Sequence, residues 1–140
     1  SQLPTAQAAL LSVKLKFLHE WIDRRIVIAE RYSSVLDEIE LLETPKTLHG
    51  NRHVFHKYVV RLPERRDEFA AYLRKAGIDT AIHYDVPLHK QPNFSAFVEK
   101  HLYLPLVETT SGEVLSFPIY PELTDEEIDY ICDQIRFFNW

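Results

Sequence analysis

The sequence predicts an α+β fold, in which a long N-terminal helix and further helices pack on one face of a small, mostly antiparallel three-stranded sheet. Three observations carry that prediction. Apolar residues recur at three- and four-residue steps through the first forty positions, a period-two pattern follows at 53–62, and a capping box opens an amphipathic C-terminal segment. Helical stripes and alternating strands each leave one apolar side, and stacking those sides makes a layered fold.

The N-terminal pattern runs Leu11, Leu15, Leu18, Ile22, Ile26, Ala29, Tyr32 and Leu36, with Pro4 suited to the first turn. Unbroken from Pro4 to Ile39, such a helix would measure roughly 50 Å, against a radius of gyration of about 14 Å for a compact domain of this length. The helix must bend or overhang. An overhanging amphipathic end needs a cover, so residues 1–40 are expected to join a second domain or subunit, leaving Leu10, Leu11, Val13 and Leu15 unburied by the chain itself.

After a loop at 43–51, His53 to Leu62 reads as a strand with Val54, His56, Tyr58, Val60 and Leu62 on one face. Glu64 to Ala76 reads as a helix striped by Phe69, Tyr72, Leu73 and Ala76 and ended by Gly77. A second strand is expected over about Asp79 to Tyr84 and a third over Val114 to Phe117, before a turn at Pro118 to Pro121. Asn93 to Val98 reads as a short helix, and His101 to Ser111 shows no clear period. In the last helix Thr124 and Glu127 form the capping box, Leu123 and Ile128 the hydrophobic staple, and Ile128, Ile131, Ile135 and Phe138 the stripe.

Composition fits a single globular domain spanning 1–140, with 46% hydrophobic and 26% charged residues. There is no methionine, which reads as excision from a longer protein, and no apolar run resembles a signal peptide or membrane span. Sixteen basic against twenty-one acidic residues give a net charge of −5, which argues against nucleic acid as a partner. The pairs Arg24, Arg25 and Arg65, Arg66 read as solvated helix faces. The one cysteine, Cys132, falls beside the apolar stripe of the last helix and reads as a buried, inert thiol; it fits a reducing cytoplasm. Three scattered glycines make no phosphate-cradling loop. His53 and His56 fall on opposite strand faces and no CxxC or HExxH pattern accompanies them, so no metal site is expected. His56 reads as hydrogen-bonded and half-buried, and His19, His49 and His101 as surface residues.

The candidate site is the segment Ala81 to Gln91, AIHYDVPLHKQ. It sets His83, Tyr84, His89 and Gln91 in a loop stiffened by Pro87, and imidazole, phenol and carboxamide groups supply hydrogen bonds to phosphate or sugar oxygens. A surface turn with scattered polar groups has the same composition.

This segment resembles the HYP-x-PLH-x-Q signature of the DegT/DnrJ/StrS group of sugar-nucleotide aminotransferases, which are fold-type I pyridoxal-phosphate enzymes. Three further segments match that family in order. Leu3 to Leu15 (LPTAQAALLSVKL) is similar to its QAA-x-L-x-x-KL helix, His53 to Leu62 to its histidine-containing strand, and Glu113 to Ile131 to its closing strand, turn and helix. The resemblance is to the C-terminal third, the small domain.

It implies that the full-length parent transfers an amino group from an amino acid, glutamate, to a nucleotide-linked keto-sugar, using pyridoxal 5'-phosphate in a cytoplasmic homodimer. Carried over by position, it makes His83 and Tyr84 substrate contacts, with His89 and Gln91 second; for these two, fixing the loop is the equal alternative. None of Lys14, Lys16, Lys46, Lys57, Lys75, Lys90 and Lys100 sits in the family's lysine motif, so no catalytic residue and no bound cofactor are expected in this piece. Two departures stand out. Gln2 replaces the family's arginine in a segment that helps hold the cofactor phosphate, and Asp85 replaces a common proline, so its carboxylate either points away from a diphosphate or meets a sugar hydroxyl. The readings from other classes are a free-standing ligand-binding or dimerisation module, and a domain sensing a phosphorylated metabolite.

Overall fold

A computed structural model describes residues 2–94, 96–99 and 102–140. Helix α1 (Thr5–Lys14) starts beneath Pro4, whose carbonyl accepts from the Ala8 N–H, and a single 3-10 turn at Leu15–Phe17 separates it from α2 (Leu18–Leu36). The long N-terminal helix, expected to bend or overhang, is therefore two helices. Phe17, at φ −102° and ψ −2°, departs from helical dihedrals at the junction. α1 buries no side chain, whereas α2 buries Ile28, Ala29, Tyr32, Val35 and Leu36 along one stripe.

The sheet has two strands, not three. β1 (Tyr58–Arg61) pairs antiparallel with β2 (Val114–Phe117), with Tyr58 opposite Phe117 and Arg61 opposite Val114. The expected strand at 79–84 reduces to one bridge, Ala81 with Ser116, and Glu43 makes a similar single bridge to Arg61 on the other edge. The reason lies in β2. Residue 83 would pair with Val114, but the Val114 N–H is already bonded to the Thr110 carbonyl at the end of the preceding helix, and the Val114 carbonyl faces Arg66 Nη1 at 3.5 Å. The Val114 N–H is thus not free to donate to a third strand.

The strand expected from His53 also starts late. Phe55 adopts φ +45°, a left-handed conformation that breaks the alternation, so Phe55 is buried while Val54 and His56 are exposed. The one-face pattern holds only for Tyr58, Val60 and Leu62. His56 is thus not the half-buried residue its spacing implied.

Helix α3 (Arg66–Lys75) buries Phe69 and Leu73 and ends at Gly77, where φ is +79° and the Ile78 N–H returns to the Leu73 carbonyl at 2.9 Å. Helix α4 (Pro105–Glu113) occupies the stretch without apparent period. It buries nothing, so it carries no apolar stripe to read. Where the helix expected at 93–98 would start there is a 3-10 turn at Pro92–Phe94. Ser95, Lys100 and His101 lie outside the described residues.

Helix α5 (Asp125–Phe137) carries the capping box: the Glu127 N–H donates to Thr124 Oγ1 at 3.2 Å and the Thr124 N–H to Glu127 Oε2 at 2.9 Å. Ile128, Ile131, Cys132 and Ile135 are buried against α2. Burial pushes the Cys132 thiol up, which keeps it protonated and unreactive.

The core joins α2, β1, β2 and α3 through Tyr32, Tyr58, Phe69 and Phe117, and α5 through its buried isoleucines. Tyr32 donates to the Pro118 carbonyl at 2.9 Å and Tyr58 shares a 2.8 Å bond with Ser33; burial raises both phenols, Tyr58 to about 12. The arginine pairs are not solvated faces. Arg24 Nη2 donates to the Leu123 carbonyl and Arg25 Nη1 to the Ile119 carbonyl, each at 2.6 Å, pinning α2 to the segment that enters α5. Arg65 Nη1 donates to the Asn139 carbonyl at 2.6 Å, and Arg66 is largely buried. Among the described residues no helix is long and apolar enough to cross a membrane.

Candidate ligand-binding site

After the Ala81–Ser116 bridge the chain leaves the sheet and forms a loop facing α4, and between loop and helix lies a cleft of about 740 Å³. His83, Tyr84 and Gln91 line it from the loop, and Leu106, Thr110 and Ser111 from α4. Val86, Pro87 and Leu88 complete a mainly apolar wall, so the cleft offers burial to a ring and hydrogen bonds to a few oxygens.

His83 is anchored where the third strand fails. Its Nδ1 lies 2.8 Å from Ser116 Oγ, so the side chain takes up the sheet edge that its backbone leaves. Burial first, then the charges of Lys57 and His56, hold its pKa below the ordinary histidine value, and the ring is neutral at pH 7. Among the described residues no hydrogen bond engages its other ring nitrogen. Tyr84 is two-thirds exposed, at 66%, with Lys57 Nζ 5.0 Å from its ring centroid and 3.5 Å from its hydroxyl.

His89 does not line the cleft. Its side chain is 8% exposed and its Nε2 lies 3.0 Å from Glu108 Oε1, while Lys90 pairs with the other carboxylate oxygen. The Leu104 N–H also donates to Glu108 Oε1 at 3.2 Å. Lys90, then His89, then that N–H pull the Glu108 carboxyl down to about 2. Glu108 thus ties the loop to α4 through His89 and Lys90. Gln91 lines the cleft and also braces the loop, its Nε2 donating to the Val86 carbonyl at 3.4 Å. Asp85 faces Arg66, 3.9 Å from Nη2.

Sequence reasoning brought out the loop but missed Lys57 and all of α4. The signal for Lys57 was its place one residue before Tyr58, opposite in parity to the core face; for α4 only Pro105 hinted at a helix start. Among the described residues, no three His, Cys, Asp or Glu side chains gather as a metal ion requires. Among the described residues, the loop sets no nucleophile beside a base.

The model of the DegT/DnrJ/EryC1/StrS aminotransferase family matches residues 1–136. The chain is 41% identical over 140 residues to the pleiotropic regulatory protein of Geobacillus stearothermophilus, covering 99% of this chain and 37% of that protein. It is 36% identical over 136 residues to the dTDP-3-amino-3,4,6-trideoxy-alpha-D-glucose transaminase of Streptomyces venezuelae, covering 97% and 36%. The crystal structure of DesV from S. venezuelae superposes with a TM-score of 0.87 at 36% identity, covering 93% of this chain and 35% of that one. The chain therefore spans little more than a third of the length of the relatives it matches.

Proposed function

The chain belongs to the DegT/DnrJ/EryC1/StrS aminotransferase family, and from that premise we propose that it is the C-terminal small domain of a sugar aminotransferase whose substrate is a nucleotide-linked keto-sugar. The amino group comes from an amino acid, glutamate, and the enzyme is a cytoplasmic homodimer. Relatives that match this chain along almost its whole length are named transaminases of nucleotide-linked sugars. The observation that carries the reading is the cleft: one wall bears His83 and Tyr84 at the family's signature positions, and the opposite wall gives apolar cover.

The family is pyridoxal-phosphate-dependent, and that cofactor, where bound, supplies the electron sink for moving an amino group. The residues described here do not fit it. Lys90 is paired to Glu108 and Lys46 to Asp37, Lys57 lies over Tyr84, and Lys14, Lys16 and Lys75 are exposed, so none is the buried, unpaired lysine a Schiff base needs. On this reading the cofactor is held by the rest of the enzyme, and α1, with no buried side chain of its own, packs against that part. This domain contributes substrate grip, with Tyr84 donating to a diphosphate oxygen, neutral His83 donating or accepting through its other ring nitrogen, and the apolar wall excluding water.

The test uses the protein as encoded by its gene. Tyr84→Phe and His83→Ala should each raise KM for the keto-sugar nucleotide about tenfold, the loss of one hydrogen bond to a charged group, and leave KM for glutamate unchanged. Equal kinetics in wild type and both variants would remove the loop from the site. The second reading, a free-standing module, takes support from the Geobacillus relative's description as a regulatory protein. It prevails if translation starts near Ser1 and no upstream domain carries a Schiff-base lysine.

A further inference from the structure

We infer that Lys57 is the cation that anchors the diphosphate of the ligand and so selects nucleoside diphosphates over less charged nucleotides; this rests on the reading of the cleft given above. Three cations border the loop at 81–91. Lys90 is neutralised by Glu108. Arg66 has Nε 2.6 Å from Asp67 and Nη2 3.9 Å from Asp85. Among the described residues no carboxylate lies within 4.0 Å of Lys57 Nζ, so the uncompensated positive charge at this site is on Lys57 alone.

Its position suits the task. Lys57 immediately precedes β1, and its ammonium reaches the hydroxyl end of Tyr84, 3.5 Å away. With His56, Thr80, His83 and Ser116 it lines a pocket of about 260 Å³ that adjoins the cleft through their shared residue His83; Asp79 supplies a carboxylate to the same lining. The charge of Lys57 already acts at His83, where it disfavours the protonated ring. An ammonium and an imidazole on this pocket, with the Tyr84 phenol on the adjoining cleft 3.5 Å from the ammonium, can serve several oxygens at once, which suits a diphosphate better than a single carboxylate.

Binding measured calorimetrically on the protein as encoded, with UDP, dTDP, uridine and glutamate as probes, tests this. Lys57→Gln should weaken UDP and dTDP about tenfold or more and flatten their salt dependence, leave uridine and glutamate unchanged, and be largely restored in Lys57→Arg. It should also raise the His83 pKa measured by NMR, since a positive neighbour has gone; a residue that only shaped the fold would not do this. If Lys57→Gln binds UDP like wild type while Tyr84→Phe does not, Lys57 is no anchor and the cleft reading stands. If Lys57→Gln, Tyr84→Phe and His83→Ala all bind UDP like wild type, the cleft reading fails too. Equal losses for uridine and UDP, or a loss confined to glutamate, also overturn the inference.

Discussion

Glu108 receives Lys90, His89 and the Leu104 N–H at once, and its carboxyl falls from 4.5 to about 2 as a result. A carboxylate with a depressed folded pKa stabilises the fold above its unfolded pKa and loses that contribution as pH falls through the folded one. The tie between loop and α4 should therefore be intact above about pH 4.5 and lost on the way to about pH 2. Hydrogen exchange of residues 83–91 should rise over that window in wild type, whereas in Glu108→Gln it should be raised already at pH 7. Asp85 gives a second test. Because it faces Arg66, Asp85→Asn should change sugar-nucleotide affinity by less than about twofold, as expected for a surface substitution; a large gain in a binding titration would mean that the carboxylate repels the diphosphate directly. His83 and Tyr84 were legible in the sequence by type and through the resemblance of 81–91 to the family signature, and the structure sets both in the cleft wall. His89 was legible only as a polar loop residue, because its use depends on Glu108, nineteen positions away.

Among the elements, α5 is the most fully encoded locally, since its capping residues and apolar stripe all lie between 123 and 138. Thr124→Ala removes the bond to the Glu127 N–H and should cost about 1 kcal/mol, read as a lower urea midpoint with an unchanged slope. Ile135→Ala opens the α2–α5 contact and should cost about 2–5 kcal/mol in the same measurement. The third strand shows the opposite case. Residues 79–84 have strand-like composition, but strand formation needs an edge with free donors and acceptors, and α4 takes the Val114 N–H first. No local pattern in 79–84 records that competition. The helix that causes it left little trace of its own, being short, unburied and rich in threonine, serine and glycine.

Over the whole molecule, burial divides the chain unevenly. The core takes up α2, α3, α5 and both strands, while on α1 and its junction Leu10, Leu11, Val13 and Leu15 remain 49–68% exposed. Uncovered apolar surface of this kind drives association in water. The chain on its own should sediment as concentration-dependent oligomers, and Leu11→Glu with Leu15→Glu should return it to monomer at unchanged thermal stability, because neither side chain contributes to the core. A drop in melting temperature in that double variant would mean that α1 is part of the chain's own folding unit. In the proposed full-length enzyme the same double variant should instead impair assembly.

By itself the sequence determined whatever depends on neighbours along the chain: the period of α2, the stripe and glycine stop of α3, the bounds of β2, the cap of α5 and the placing of His83 and Tyr84 in one loop. Tertiary structure alone decided which polar groups the fold takes up. Arg24, Arg25 and Arg66 are drawn into the fold, His89 and Lys90 are taken up by Glu108, and among the described residues Lys57 beside Tyr84 has no carboxylate within 4.0 Å. A side chain's hydrogen bonds and charge are finite, and which partner takes them is settled by distance in space, to which separation along the chain gives no guide.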